Sequence, residues 1–380
     1  MSTSTISKVR KTKKKSSKSI GNISIVRHGF GIDVGKAEFH VVYRILSQDG
    51  KLIVRGYKKF TNTVSGIRSF YNWAKKQLKD SDLPCSYLME ATGVYYEELA
   101  YYLESQNCSV KVVLPNQSKA FSKSLGQKTK TDKVDAKTLS LMALERLSLR
   151  DWKPASSQMR HLKKVTRLRT RLVAEKTRNQ NQLHAEKSSF EPDSLVIETL
   201  KVSIKEKKLL IRNLEKSLEK TVKEQDAKLY EKVENICELK GLGFITVLTV
   251  IAETNGFELF ENVKQLVSFS GYDVVHNESG DKIGKTKISK KGNRYIRRAL
   301  YMPSLSVVRC NPDSPFAMLH QRVFEKTNIK NKGYVAVQRK MLIIIYTLFK
   351  NDQAYQADFH KKACSGETEK VGSIKTAYSG

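Results

Sequence analysis

No run of eighteen apolar residues occurs in the 380-residue chain, so no segment has the make-up of a membrane-spanning helix. Cysteine is scarce: Cys85, Cys108, Cys237, Cys310 and Cys364 form no CxxC, and an odd count leaves one without a partner. That excludes a disulfide scaffold and a cysteine-built zinc site, and it fits a reducing interior. The opening MSTSTISKVRKTKKKSSK has no apolar core behind its charges, so it is not expected to act as a secretory signal. The expected location is the cytoplasm, at the nucleoid.

Acid is scarce too. Thirty-eight Asp and Glu stand against 69 Lys and Arg, a net charge of +31, and no acidic residue precedes Asp33. An excess of this size repels itself, and a polyanion is the ordinary partner that offsets it. Binding to a membrane surface would require an amphipathic anchor, and none is evident. Nucleic acid is therefore the expected partner, and the blander alternative is a merely soluble, ribosome-like basic protein.

A chain of this length calls for two or three domains. Residues 1–25, with seven positive charges between Lys8 and Lys18, read as a basic disordered arm. Residues 26–150 alternate strand and helix signals. FGIDVGKAEFHVVYRIL has the pattern of one long strand, with KLIVRGYKKF as its hairpin partner after Gln48-Asp49-Gly50. CSYLMEA and CSVKVVLPN are further strands separated by helices, which together predict an RNase H-type mixed α/β sheet. Residues 151–235 differ in kind. From Ser156 to Val233 there is no glycine, and the only proline is Pro192, which predicts two long helices. Ile197, Leu200, Ile204, Ile211, Leu214 and Leu218 form a heptad seam, with Lys207 in one apolar slot, so this is an antiparallel hairpin or a dimerising coiled coil. Arg160, Lys163, Lys164, Arg167, Arg169 and Arg171 make the first of these helices basic, and phosphate contact is the favoured reading over a solvated face. Residues 236–350 begin with Leu239-Lys240-Gly241-Leu242-Gly243, a helix-hairpin-helix-like turn, and continue mainly helical. Residues 351–380 form a polar tail.

Four carboxylates stand out by position. Asp33 lies in the first strand and Glu90 ends an apolar strand. Asp132 and Asp135 lie at i and i+3 in TKTDKVDAKTLS, so they are neighbours on one helix face. Gathered at strand ends and a helix start, such a set would hold two divalent cations roughly 4 Å apart. Magnesium, or manganese in its place, suits oxygen-only ligands. Taken singly, each acid reads more simply as a helix-start charge, a strand-end charge or a turn former. The joint pattern, set among Lys128, Lys130, Lys133 and Lys137, is what points to chemistry.

GIDVGK, LMEATGVYYEELAYYLES and VVLPNQSKAFSKSLGQKTKTDKVDAKTLS resemble the three blocks of the DEDD insertion-sequence transposases, the IS110 and related elements. LKGLGFITVLTVIAE, FSGY, NESG and ISKKGNRYIRRALYMPSL extend the resemblance, which covers roughly Gly29 to Lys350. It implies a RuvC-like domain with Asp33, Glu90, Asp132 and Asp135 as its catalytic and metal-binding set. It also implies a C-terminal transposase domain with a nucleophilic serine, Ser279 of Ser279-Gly280. The family usually shows G-L-x-P before that serine, where this chain has Gly271-Tyr272-Asp273-Val274. Lys282, Lys285, Lys287, Lys290 and Lys291 around it would neutralise a phosphate. The resemblance further implies DNA as substrate, a structured guide RNA in the bridge-RNA members, and a homo-oligomer, dimer or tetramer, with composite sites.

The leading reading is thus a DNA recombinase using Ser279. The second is a metal-dependent junction-resolving nuclease in which water attacks, and the third is a non-catalytic nucleic-acid-binding relic. Tyr272 is a rival nucleophile, although no Arg-His-Arg set accompanies it.

Overall fold

The computed structural model describes residues 24–79, 82–275, 278–279, 282–284 and 286–355. The chain folds as two compact units that divide between Pro154 and Ala155. Nearly all of the basic arm and of the polar tail lies outside the described residues, and Ile25 at the arm's end already belongs to the first strand.

The first unit is a five-stranded mixed sheet with helices on both faces. Its strands are β1 (Ile25–Val34), β2 (Glu38–Ser47), β3 (Leu52–Thr61), β4 (Cys85–Glu90) and β5 (Ser109–Val113), and they lie in the order β3-β2-β1-β4-β5. β1 to β3 form an antiparallel meander, while β4 and β5 run parallel to β1. The single long strand expected at the start is in fact two. The chain reverses after Val34, where the Gly35 N–H donates to the Glu38 carbonyl at 2.9 Å, because Gly35-Lys36-Ala37 turns rather than extends.

Helix α1 (Val64–Leu78) starts at Thr63, whose hydroxyl accepts from the Gly66 N–H. Its buried Ile67, Phe70 and Ala74 recur at helical spacing. With Leu99 and Leu103 of α2 (Glu97–Ser105) they pack on Phe30, Ile32 and Val34, the residues of β1 that face them. Phe30 stacks between Tyr43 and Tyr87 at ring separations of 4.8 and 4.9 Å, so Phe30→Ala would cost about 3–5 kcal/mol. On the opposite face lie α3 (Pro115–Ser124) and α4 (Asp132–Glu145), over a smaller core of Leu88, Val113, Phe121, Leu139 and Met142.

The second unit is helical. α5 (Ser157–Lys187) and α6 (Ser194–Gln225) are joined by residues 188–193 and therefore run antiparallel. Ile204, Ile211 and Leu218 of the heptad seam are buried, and α6 packs along α5, so the chain satisfies this seam internally as a hairpin. Lys207 keeps its slot by donating to Ser203 Oγ at 3.0 Å. α7 (Ala227–Cys237), α8 (Phe244–Glu253), α9 (Val263–Ser270), α10 (Arg294–Cys310), α11 (Pro315–Thr327) and α12 (Lys330–Asn351) complete the unit. Leu162 of α5 and Leu218 and Val222 of α6 share one core with Leu229, Val247, Ile296 and Met341. The boundary expected near residue 235 therefore runs through a common core. Between α9 and α10 the two-residue strands β6 (Val274–Val275) and β9 (Lys287–Ile288) pair with each other, as do β7 (Glu278–Ser279) and β8 (Lys282–Ile283). Among the described residues no helix is long and apolar enough to cross a membrane.

Candidate active site

Side chains alternate along β1, so Gly29, Gly31 and Asp33 share one face. Across the β1–β2 ladder they pair with Arg44, Val42 and His40, which lie on the same face. The two glycines bring a helix down onto this strand. A Cβ on Gly31 would lie 2.0 Å from Ser140 N and 2.3 Å from the Ala136 carbonyl oxygen, so α4 rests its backbone directly on β1. Buried Arg44 pins the helix from below by donating to Ser140 Oγ at 3.2 Å. Fixed in this way, α4 starts beside the end of β1. Thr131 caps it by accepting from Val134 N–H, and Asp132 and Asp135 occupy its first turn.

Glu90 arrives on the neighbouring strand. Ile32 of β1 pairs with Met89 of β4, so Asp33 and Glu90 end adjacent parallel strands at their carboxyl edge, where open α/β sheets bind ligands. The Glu90 carboxylate accepts from the buried Ser118 hydroxyl of α3, and from Thr92 Oγ1 at 3.3 Å. Asn62 ties the surrounding turns together by donating to the carbonyls of Gly35 and Tyr95, both at 3.0 Å.

The four acids press on one another. Burial first, then the charges of Asp135, Asp132 and Glu90, push the Asp33 carboxyl up to about 6, with His40 opposing. Asp135 is raised as well, by burial and by Glu90 and Asp132, against the pull of Lys130. His40 Nε2 lies 3.5 Å from Asp132 and 3.4 Å from Glu38, and its Nδ1 bonds to Tyr57 OH at 2.8 Å. Among the described residues no three His, Cys, Asp or Glu side chains converge closely enough to hold a metal ion. The donor chemistry nonetheless fits a hard divalent cation, because the groups are all carboxylates and the charges of three of them add to burial in raising Asp33.

The four acids stand out in the sequence, and their supports do not. Ser118, His40 and Arg44 carry no motif. The Gly-x-Gly spacing inside a strand was the available signal for a close helix, two residues before Asp33.

In the second unit, Ser279 pairs with Lys282 across β7 and β8, and the side chains of both lie outside the described atoms, as does all of Lys285. The stem beneath is well held. Ser289 N–H donates to the Asp273 carbonyl at 2.8 Å, Lys290 N–H to Gly271 at 3.1 Å and Asn293 N–H to Phe269 at 2.7 Å. Lys287, Lys290 and Lys291 are exposed around it. Tyr272 is 1% exposed, its hydroxyl bonds to Gln338 at 3.0 Å, and burial raises its phenol, so it cannot serve as the rival nucleophile.

The basic face of α5 is only partly a phosphate surface. Arg167 grips Glu253 of α8 with two bonds, of 2.6 and 2.8 Å, and stacks on Tyr295. Arg169 bonds to Glu215 at 2.7 Å, and Arg160 donates to the Ala155 carbonyl at 2.5 Å. Lys163 is half-buried, which leaves Lys164 and Arg171 as the exposed members. Arg167 is thus engaged by a fully buried carboxylate of its own fold.

Known proteins supply the remaining observations. The transposase family model for the DEDD domain of IS110 elements matches residues 30–186, and a second, described as transposase IS116/IS110/IS902 family, matches residues 233–317. The pilin gene-inverting protein of Moraxella bovis is 26% identical over 305 residues, covering 80% of this chain and 91% of its own length. Its counterpart from Moraxella lacunata matches to the same extent. The transposase for insertion sequence element IS1111A of Coxiella burnetii is 26% identical over 132 residues, 34% of this chain and 36% of its own.

Proposed function

The chain belongs to the IS110 family of DNA transposases, and from that footing we propose that Asp33, Glu90, Asp132 and Asp135 form its strand-cutting centre, with Ser279 as nucleophile. The observation that carries the acidic half is Asp33 at the sheet edge, whose carboxyl is pushed up to about 6, first by burial and then by the charges of Asp135, Asp132 and Glu90. Structural carboxylates are paired with cations, whereas Asp33 has three further acids among the charges that act on it, as a group that takes up a cation does.

The four acids would hold the divalent cation, magnesium by donor chemistry. When bound, it polarises the phosphodiester and neutralises charge on the leaving oxygen. Ser118 and Thr92 orient Glu90, and His40 orients Asp132. The Ser279 hydroxyl attacks phosphorus and gives its proton to solvent. The bond to the 3′ oxygen breaks, and that oxygen leaves as a protonated 3′ hydroxyl. The DNA end remains joined to serine through a 5′ phosphate, and rejoining runs the same exchange in reverse. The exposed Lys287, Lys290 and Lys291 neutralise the strand around the serine stem.

The test is whether cleaved DNA carries protein on a denaturing gel. A covalent adduct that disappears in Ser279→Ala supports the serine. Cleavage with free ends in wild type would make water the nucleophile and the protein a junction-resolving nuclease.

A homo-oligomer in which Ser279 of one protomer meets the acids of another predicts that Asp33→Ala and Ser279→Ala proteins rescue each other when mixed. A guide RNA from the element's flanks fits the net charge of +31, because phosphate contacts supply most of such affinity. It predicts strand exchange with element RNA, and none with random RNA or without RNA.

A further inference from the structure

β3 is the edge strand of the sheet, and one of its faces is left open beside the acids. α4 packs on β1, β2 and β4. Val42 pairs with Tyr57 and Arg44 with Val54, so Tyr57 and Val54 lie on α4's side of the sheet, beyond the helix. They are 40% and 41% exposed. An exposed aromatic on an edge strand is by itself ordinary surface. Tyr57 is distinguished by its attachments. Its hydroxyl bonds to His40 at 2.8 Å, and His40 pairs across the ladder with Asp33 and reaches Asp132 at 3.5 Å. One ring face carries the Lys133 ammonium, 4.8 Å from the centroid, and Lys133 directly follows Asp132. Lys59, opposite His40 on β3, is more than half exposed and pairs with Glu38 at 2.6 Å. Lys137 lies exposed one helical turn beyond Lys133.

An aromatic plane held by His40, flanked by exposed cations and one side chain away from the proposed strand-cutting centre, has the chemistry of a base-stacking shelf. Bases of any sequence stack on such a ring while lysines follow the backbone. We propose that Tyr57 is a nucleobase-stacking subsite, which takes an unpaired base of the DNA strand whose phosphate lies at the acids. In this arrangement the Lys133 ammonium leaves the ring for a phosphate as the base arrives. Stacking keeps the strand's phosphate at the carboxylates and favours a strand already opened at the cut. The proposal rests on the reading of the four acids as the cutting centre.

The experiment uses full-length protein and single-stranded DNA carrying one 5-iododeoxyuridine, placed in turn at each position around the cut, without divalent cation so that nothing is cleaved. Ultraviolet light joins that base to an aromatic ring stacked on it, and mass spectrometry identifies the residue. The expected result is a cross-link to residue 57 from positions next to the cut. Tyr57→Phe should retain it and Tyr57→Leu should lose it, with the melting temperature unchanged in both. Cleavage by Tyr57→Leu should fall on the order of ten-fold through a higher KM, and Tyr57→Phe, which keeps the ring, should restore the KM. No cross-link at residue 57 from any position, or a cross-link only from the matching RNA strand, overturns the proposal. A wild-type cutting rate in Asp135→Ala would instead refute the acidic centre, and it would do so without reference to the cross-link.

Discussion

Two carboxylates, one buried in the second unit and one half-buried in the first, show how this protein uses charge. Glu253 has no exposed side-chain surface, yet it accepts two bonds from Arg167 and one of 2.7 Å from Asn293, which also caps α10. Its charge is cancelled on the spot. Asp33 is half-buried, and three more acids add to burial in raising its carboxyl, with His40 opposing them. The first arrangement joins α5, α8 and α10. The second stores repulsion at a sheet edge, where an incoming cation would relieve it. A paired buried acid marks structure, and a crowded one marks chemistry.

The largest effect expected from this contrast is at the acids. Asp135→Ala or Asp33→Ala should abolish strand cleavage, by at least roughly a thousand-fold, while DNA affinity in a filter-binding assay stays near wild type, because Lys and Arg supply it. Cleavage at the wild-type rate would dissolve the comparison.

The Glu253 network should respond in the opposite way. Arg167→Ala leaves a buried carboxylate half-satisfied, at a cost of about 3–5 kcal/mol in denaturant unfolding of the second unit. Replacing both partners with apolar residues, Arg167→Met with Glu253→Leu, should recover much of that loss. If the double variant is as unstable as the single, the pair does more than cancel charge.

A smaller effect is expected at Ser118, whose hydroxyl holds Glu90. Ser118→Ala should slow cleavage on the order of ten-fold with little change in stability, and Ser118→Thr should restore most of it. The measurement is the single-turnover rate.

Stability against pH sharpens the picture further. A carboxyl raised from 3.8 to about 6 binds its proton more tightly in the folded state. Its contribution to stability is therefore whole below pH 3.8 and is lost as pH rises through about 6. Without divalent cation, the melting temperature of wild type should fall over that window relative to Asp33→Asn, and adding magnesium near neutral pH should reverse the fall. Parallel curves for the two proteins would show that Asp33 is not under pressure.

The smallest effect is expected from Arg171→Glu, an exposed residue on α5. It should weaken nucleic-acid binding by a few-fold, equally for all sequences, and flatten the salt dependence slightly.

The sheet and helices were legible because their signals are local. Ile67, Phe70 and Ala74 announce α1, and the apolar run of Cys85–Glu90 announces β4. The acids were legible for a related reason, since Asp132 and Asp135 share a helix face and Glu90 closes a strand. The turn after Val34 was not, because an apolar run on both sides of Gly35 reads as one strand until a pairing partner is specified.

By itself, then, the chain's order of residues determined the element types, the acidic set, the basic excess and the motifs that place it among transposases. Only the tertiary structure decided which charges are free to act. Arg167 and Arg171 lie on one helix with the same charge, but Glu253, more than eighty residues away in sequence, claims the first and leaves the second in water. In the same way, Gly31 becomes the seat of α4, and Tyr57 a neighbour of Asp132 through His40, only once β1, β2 and β3 are side by side. Local propensity acts over a few residues, whereas burial and charge pairing act across space, and folding alone brings those partners together.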